Sequence, residues 1–163
     1  MPTDGSPPAT LQEPQQLLLR RFRIVFNAVK THFRQVEKSA GIGGAQLWAL
    51  GIIRDRPGLG VNDLAAAMDV HQSTASNLVR ALVDRDYVRA SRDGVDRRAV
   101  ALHIQPAGTA VIDKAPGPLT GVLPAALSRL DAATVTRLNA DLAHLISVLE
   151  ADEHAGNTPL SDL

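Results

Sequence analysis

The chain has 163 residues, of which 45% are hydrophobic and 21% charged, and its 17 basic residues balance its 17 acidic ones. This composition is ordinary for one globular domain with a sizeable core. The absence of cysteine excludes disulfides, zinc-thiolate sites and thiol redox chemistry. The apolar runs are only a few residues long and the start, MPTDGSPPAT, has no signal-peptide pattern. A soluble cytoplasmic protein is therefore expected, with no membrane partner.

The zero net charge hides an uneven distribution. Residues 131–163 hold six acids and one arginine, which leaves 16 basic and 11 acidic groups in the first 130 residues. A surplus of this size permits nucleic-acid binding without requiring it. The five histidines have no spacing typical of a metal site, so we expect neither a metal nor a cofactor. No nucleophile or second acid accompanies His32 or His144, and an enzyme is the least favoured function.

The chain opens with residues 1–13, which are rich in Pro and small polar residues and are predicted to be a disordered tail. Residues 14–40 carry apolar side chains at steps of three and four, which predicts a long helix with a wide apolar face. Leu18, Phe22 and Val25 lie on that face and are assigned to a subunit contact. Packing within a single chain is the alternative.

The next helices have the form of a helix-turn-helix. Residues 45–54 and 61–68 predict two short helices, and the span 72–83 predicts a third that follows a tight connection. The outward face of the third helix is small and polar, and the span has none of the Glu and Lys that ordinary surface helices favour. Such side chains can bond to base edges in the major groove and to phosphates, whereas a solvated surface is the alternative. The predicted contacts are Gln72, Ser73, Thr74, Ser76, Asn77 and Arg80.

Two alternating runs, 87–91 and 99–105, predict a β-hairpin that turns Val88 and Ala90 toward the helices. Its tip, SRDGVDRRAV, holds three arginines and two aspartates around one glycine. A basic tip beside such a helix can reach the minor groove, where arginine is attracted by the negative potential. We therefore predict DNA contacts for Arg97 and Arg98, with Asp96 orienting a guanidinium. A solvated charged turn is the alternative.

The C-terminal region begins with a helix that prolines interrupt. Pro116, Pro118 and Pro124 predict a break or kink near 115–118. After Asp131, a good N-cap, a heptad-like apolar seam follows, and its residues assigned to dimerisation are Leu138, Leu142, Leu145 and Leu149. Residues 153–163 are polar, contain Pro159 and are predicted to be a flexible tail.

Over residues 17–149 the sequence resembles the MarR family of winged helix-turn-helix transcriptional regulators. The resemblance rests on QLWALGII, on LAAAMDVHQSTASNLVRALVDRDYV and above all on DGVDRRAVALHIQPAG. The Asp-x-Arg pattern of the family's wing is matched by Asp96 and Arg98. The resemblance implies a mainly α fold with a small β-hairpin wing: a winged helix-turn-helix domain over 41–105 and a helical dimerisation region formed by 14–40 and 106–152.

The resemblance further implies a homodimer that presents two recognition helices to double-stranded DNA at a palindromic operator, usually to repress, and that a small-molecule effector often releases. Successive major grooves place the two half-sites about 10 bp apart. His32, Arg34 and Trp48 are candidates for lining an effector pocket. A winged-helix module that binds protein and no operator is the alternative, since one fold can serve both purposes.

Several positions depart from the family pattern. Asp69 and Asp86 stand where relatives commonly have glycine in turns, and aspartate tolerates the left-handed backbone that such turns use. Gly43 and Gly60 stand at helix starts where Ser or Thr is usual. Glycine caps a helix less well than these residues, by a few tenths of a kcal/mol.

Overall fold

The computed structural model describes residues 10–92 and 99–162 of the chain. The described part is mainly helical, with one two-stranded antiparallel sheet, and this confirms the predicted fold class. The helices are α1 Glu13–Ala40, α2 Gly44–Asp55, α3 Val61–Met68, α4 Gln72–Asp84, α5 Pro106–Lys114, α6 Val122–Leu127 and α7 Ala132–Val148. The strands are β1 Val88–Ser91 and β2 Ala101–Ile104, and two 3-10 turns, Glu153–Asn157 and Leu160–Asp162, end the described chain. Within these residues no helix combines the length and apolarity that a membrane span needs.

The hydrophobic core surrounds α2. Leu47, Leu50 and Ile53 of this helix are fully buried, and they belong to one cluster with Leu64 of α3 and Leu82 of α4. The sheet and α5 close the cluster on its remaining side. A helix that is apolar on most of its circumference is suited to this central place. The helix-turn-helix formed by α3 and α4 is therefore fixed to a rigid support.

The hairpin pairs in the expected alternation, with Val88 opposite Ile104 and Ala90 opposite Leu102. Leu102 also exchanges backbone hydrogen bonds with the loop after α2: its amide donates to the Leu59 carbonyl at 3.0 Å, and its carbonyl accepts from Gly58 at 2.7 Å. Ala90 is on the same face of the hairpin as Val88, as predicted, and lies opposite the buried Leu102. Val88 is buried, whereas Ala90 is exposed, so only the first residue of β1 is covered by the core.

The turns and the helix break follow the sequence predictions. Asp69 and Asp86 have φ values of 53° and 56°, in the left-handed region. Asp69 ends α3 and Asp86 follows the end of α4, the two positions where the family resemblance implies glycine. The helix α5 ends at Lys114, and α6 and α7 are separate helices beyond it, which confirms the predicted break near 115–118.

Candidate nucleic-acid interface

The helix α4 begins with a cap that the sequence analysis did not identify. The Nδ1 atom of His71, the N-cap residue, accepts a hydrogen bond from the Ser73 backbone amide at 3.3 Å and lies 2.9 Å from Ser73 Oγ. Histidine is not among the residues that usually cap helices, so its identity gave no signal. This contact fixes the first turn of α4, where several of the predicted DNA contacts lie.

The face of α4 opposite the core is polar and open. Ala75, Leu78, Val79 and Leu82 are buried against the core. Ser73, Asn77 and Arg80 are exposed, and their spacing of four and three residues aligns them on the other side of the helix. This strip offers a hydroxyl, an amide and a guanidinium, which can all donate hydrogen bonds to phosphates or base edges.

The other predicted contacts on α4 lie beside this strip. Gln72 is exposed and its Nε2 donates to Ser76 Oγ at 2.9 Å. Thr74 and Ser76 are half-buried. All six predicted contacts thus lie on α4, and three of them, Ser73, Asn77 and Arg80, form the strip opposite the core. That they contact DNA remains a prediction.

The wing lies beside α4 through the packing of β1 against it. Of the tip residues, Arg92 is described and exposed. Asp96, Arg97 and Arg98 lie outside the described residues, and their predicted roles remain predictions. Arg89, on β1 opposite His103, is a further exposed arginine on the hairpin. It was not among the predicted contacts, because the sequence analysis considered only the arginines of the tip.

Arg85 connects α4 to the long first helix. Its Nη1 donates to the Gly41 carbonyl at the end of α1 at 2.9 Å, and its guanidinium lies 5.6 Å from the centre of the Tyr87 ring. Gly41 ends α1 in the left-handed conformation, with φ of 71°. The residue that ends α4 is therefore hydrogen-bonded to the residue that ends α1.

Two apolar surfaces are left open in the described chain. No residue of α7 is buried, and Leu138 and Leu142 are 39% and 42% exposed. Leu145 is half-buried, and Leu149, just after the helix, is exposed. On α1 the first half is similar: Leu18 and Val25 are exposed, Phe22 is half-buried, and the Phe22 and Phe26 rings lie 6.2 Å apart. Exposed apolar stripes of this length mark interaction surfaces.

The three candidates for an effector pocket are separated in the structure. Trp48 lines a cavity of about 230 Å³ between α1, α2, α3 and the C-terminal turn, together with Phe33 and Met68. Arg34 lies in a neighbouring open groove along α1. His32 lines neither of these spaces and is only 5% exposed. His32 and Arg34 lie two residues apart, on opposite sides of α1. The apolar face of this helix is so wide that its periodicity did not show which of these sides packs on the core.

His32 is expected to make the stability of the fold depend on pH. Burial lowers the pKa of His32 from its ordinary value, and a hydrogen bond with the Pro118 backbone opposes part of this effect. The folded state thus binds this proton less readily than the unfolded state does. We expect the free energy of unfolding to fall as the pH drops below about 6.5, the ordinary histidine pKa, toward the lower pKa of the folded state.

Urea unfolding at pH 5.5 and pH 7.5, at one protein concentration, measures this effect. His32→Gln should reduce the difference in unfolding free energy between the two pH values. The matched change at an exposed histidine, His144→Gln, should leave that difference as it is. An equal pH dependence in the wild type and His32→Gln proteins would assign the effect to other groups.

Comparison with known proteins gives a consistent picture. Residues 40–99 match the model of the MarR family. A candidate transcriptional regulatory protein for the hcr operon of Thauera aromatica is 31% identical over 90 residues, which are 55% of this chain and 53% of that protein. The chain thus aligns with about half the length of this relative.

Two solved structures show the likeness of the fold. The transcriptional regulator BldR from Sulfolobus solfataricus is 25% identical, with a TM-score of 0.53 over 84% of this chain and 99% of that one. The S. aureus MepR–DNA complex is 19% identical, with a TM-score of 0.54 over 86% of this chain and 99% of that one. At that identity the second likeness shows the fold alone.

Proposed function

The chain belongs to the MarR family, and from this premise we propose that it is a transcriptional regulator that binds double-stranded DNA in a sequence-specific manner as a homodimer. The observation that carries the proposal is the open polar strip of Ser73, Asn77 and Arg80 on α4. Its side chains are short or can bond to base edges, so the helix can lie close to the bases of the major groove. The surplus of basic residues before residue 131 supports the approach to a polyanion.

The proposal includes a two-fold arrangement. The open apolar faces of α1 and α7 support a second copy of the chain as the partner, and a two-fold dimer matches a palindromic operator. Two recognition helices in successive major grooves then read half-sites with centres about 10 bp apart. Repression is the direction that we propose, because a dimer on an operator can exclude other proteins from the same DNA.

The proposal also includes a small-molecule effector that releases DNA. The cavity beside Trp48 is lined by the apolar side chains of Phe33, Met68 and Val70. This lining suits a small apolar or aromatic ligand. The contact of Arg85 with Gly41 gives such a ligand a path to α4, since the cavity borders α1 and α2. The proposed effector would therefore act on the angle between α1 and the helix-turn-helix.

Fluorescence anisotropy with the DNA upstream of the protein's own gene, against a random duplex, tests the function. We expect affinity for a selected site about 1,000-fold above that for the random duplex, with a logarithmic salt slope near −0.9 for each phosphate contacted. Equal and weak binding to both duplexes, together with no site in a genome-wide selection, would favour the alternative of a protein-binding module.

A further inference from the structure

The C-terminal end of the described chain does not extend away from the fold. The 3-10 turn Leu160–Asp162 packs against α2 and α1, where the sequence predicted a flexible tail. The Ser161 hydroxyl accepts a hydrogen bond from the Ala45 backbone amide at 3.1 Å, across 116 positions of the sequence. Ala45 is in the first turn of α2, whose N-cap residue Gly43 has no side chain to accept that bond. Ser161, from a distant part of the same chain, therefore supplies the cap that the start of α2 lacks.

The surface that receives this turn is shaped for it. A Cβ atom on Gly44 would overlap the Phe33 ring and would lie 3.3 Å from the Ser161 Cβ, so this glycine makes room for Phe33 and also eases the close approach of Ser161. Leu160 and Ser161 also line the cavity that contains Trp48. The Ser161 hydrogen bond, and the position of Leu160 and Ser161 on the wall of this cavity, thus place the segment 153–162, which we call the C-terminal strap, against the fold.

The strap also reaches the recognition helix. Thr158, Pro159 and Asp162 form one wall of a cleft of about 370 Å³ whose opposite wall includes Thr74 and Asn77 of α4. Both α4 residues are predicted DNA contacts, and Asn77 is part of the open strip. Asp162 is exposed, so a carboxylate lies beside the face that phosphates would approach. DNA that enters along this side meets both the bulk of the strap and a charge of its own sign.

We propose that the C-terminal strap is an autoinhibitory element, which lowers the affinity for DNA while it is docked against α1 and α2 beside α4. This inference rests on the proposed function, because it needs α4 to bind DNA. The apparent dissociation constant equals the intrinsic one divided by the fraction of competent molecules, so a strap docked nine-tenths of the time weakens binding about tenfold.

Docking of the strap can be measured without DNA through Trp48, the single tryptophan of the chain. In the whole chain, Leu160→Ser together with Ser161→Ala removes both the apolar side chain that lines the Trp48 cavity and the hydroxyl that caps α2. We expect the Trp48 emission to shift to longer wavelength and its quenching by acrylamide to increase, while Glu153→Gln leaves both unchanged. An unchanged emission in the Leu160→Ser, Ser161→Ala protein would show that the strap does not dock and would overturn the inference.

DNA binding then tests the inhibition. At low salt we expect the Leu160→Ser, Ser161→Ala protein to bind the selected site about tenfold more tightly than the wild type. Asp162→Asn keeps the oxygen that accepts from Ser161 Oγ and removes only the charge, so we expect a smaller gain of about threefold that disappears at high salt. Glu153→Gln makes the same change of charge outside the cleft and should give a smaller gain than Asp162→Asn.

The failure of the inference differs from the failure of the proposed function. If all these proteins bind the selected site selectively and with one affinity, the strap docks without inhibiting and the inference is wrong. If none of them distinguishes the selected site from a random duplex, the proposed function is wrong and the inference falls with it. A gain that is largest in the Leu160→Ser, Ser161→Ala protein and larger in Asp162→Asn than in Glu153→Gln supports both.

Discussion

Replacing both Asn77 and Arg80 by alanine is expected to weaken binding to the selected DNA site about 100-fold at fixed salt. Each side chain lies on the open face of α4, and a good contact to a base edge contributes about 1–3 kcal/mol of discrimination. Neither residue belongs to the core, and α4 keeps its His71 cap and its four buried positions. The loss should therefore come from the interface and leave the thermal stability nearly unchanged.

The two single variants divide this effect by its chemistry. Asn77→Ala removes an amide that can pair with adenine, so it should relax the preference at one position of the site. Arg80→Ala should either do the same at a guanine or, if it bonds to phosphate, weaken all sequences alike and reduce the salt slope by about 1. Anisotropy titrations with the selected site and with single-base variants of it distinguish these outcomes.

Arg129→Ala is the matched control, because it removes the same charge from an exposed position between α6 and α7, outside the helix-turn-helix. Its affinity should remain within about twofold of the wild type, as for an exposed charge away from an interface. If Arg80→Ala behaves like Arg129→Ala, α4 does not read DNA.

The sequence predicts the helix-turn-helix well because the signals there are local. The bounds of α3 are those expected, and α4 begins where predicted, since a period of 3.6 and a turn before it define a helix on their own. The left-handed conformations of Asp69 and Asp86 follow in the same way from the residue type at a turn. The polar face of α4 is open because its apolar residues occupy the other face.

The docking of Leu160 and Ser161 could not be predicted, because its cause lies 116 positions away in the chain. The segment has no apolar period, and polarity with a proline is the usual signature of a loose tail. The sequence does show that Gly43 leaves α2 without a side-chain cap. It does not show which distant hydroxyl would satisfy the free amide.

The burial of His32 is a related case. The first helix has a wide apolar face, so its period does not say which part packs on the core and which part stays open. The structure separates them: His32 and Val36 are buried near the end of α1, whereas Leu18 and Val25 near its start are exposed. Only contacts with the rest of the chain decide this division, and these contacts are long-range.

Leu138→Asp together with Leu145→Asp is expected to convert the protein from the proposed dimer to a monomer. The 17 residues of α7 include none that is buried, and in the part of the chain that the structure describes α7 makes no extensive contact with another element. A helix of this length is only marginally stable alone in water. The Asp131 cap, which accepts from the Thr134 amide at 2.9 Å, adds too little to change this. In the proposed homodimer, burial of the leucine seam against a second chain supplies the missing stabilisation.

Light scattering should give a mass near the 17.3 kDa of one chain for the double variant and twice that mass for the wild type. A monomer reaches one half-site only, so its affinity for the palindromic site should fall more than about 100-fold, because the second contact is no longer favoured by a high effective concentration. Ala140→Asp together with Ala143→Asp adds the same two charges on the opposite face of α7 and should leave the dimer intact. If the leucine variant still scatters as a dimer, the seam is not the interface, and the open face of α1 around Leu18 and Val25 becomes the surface that holds the two subunits together.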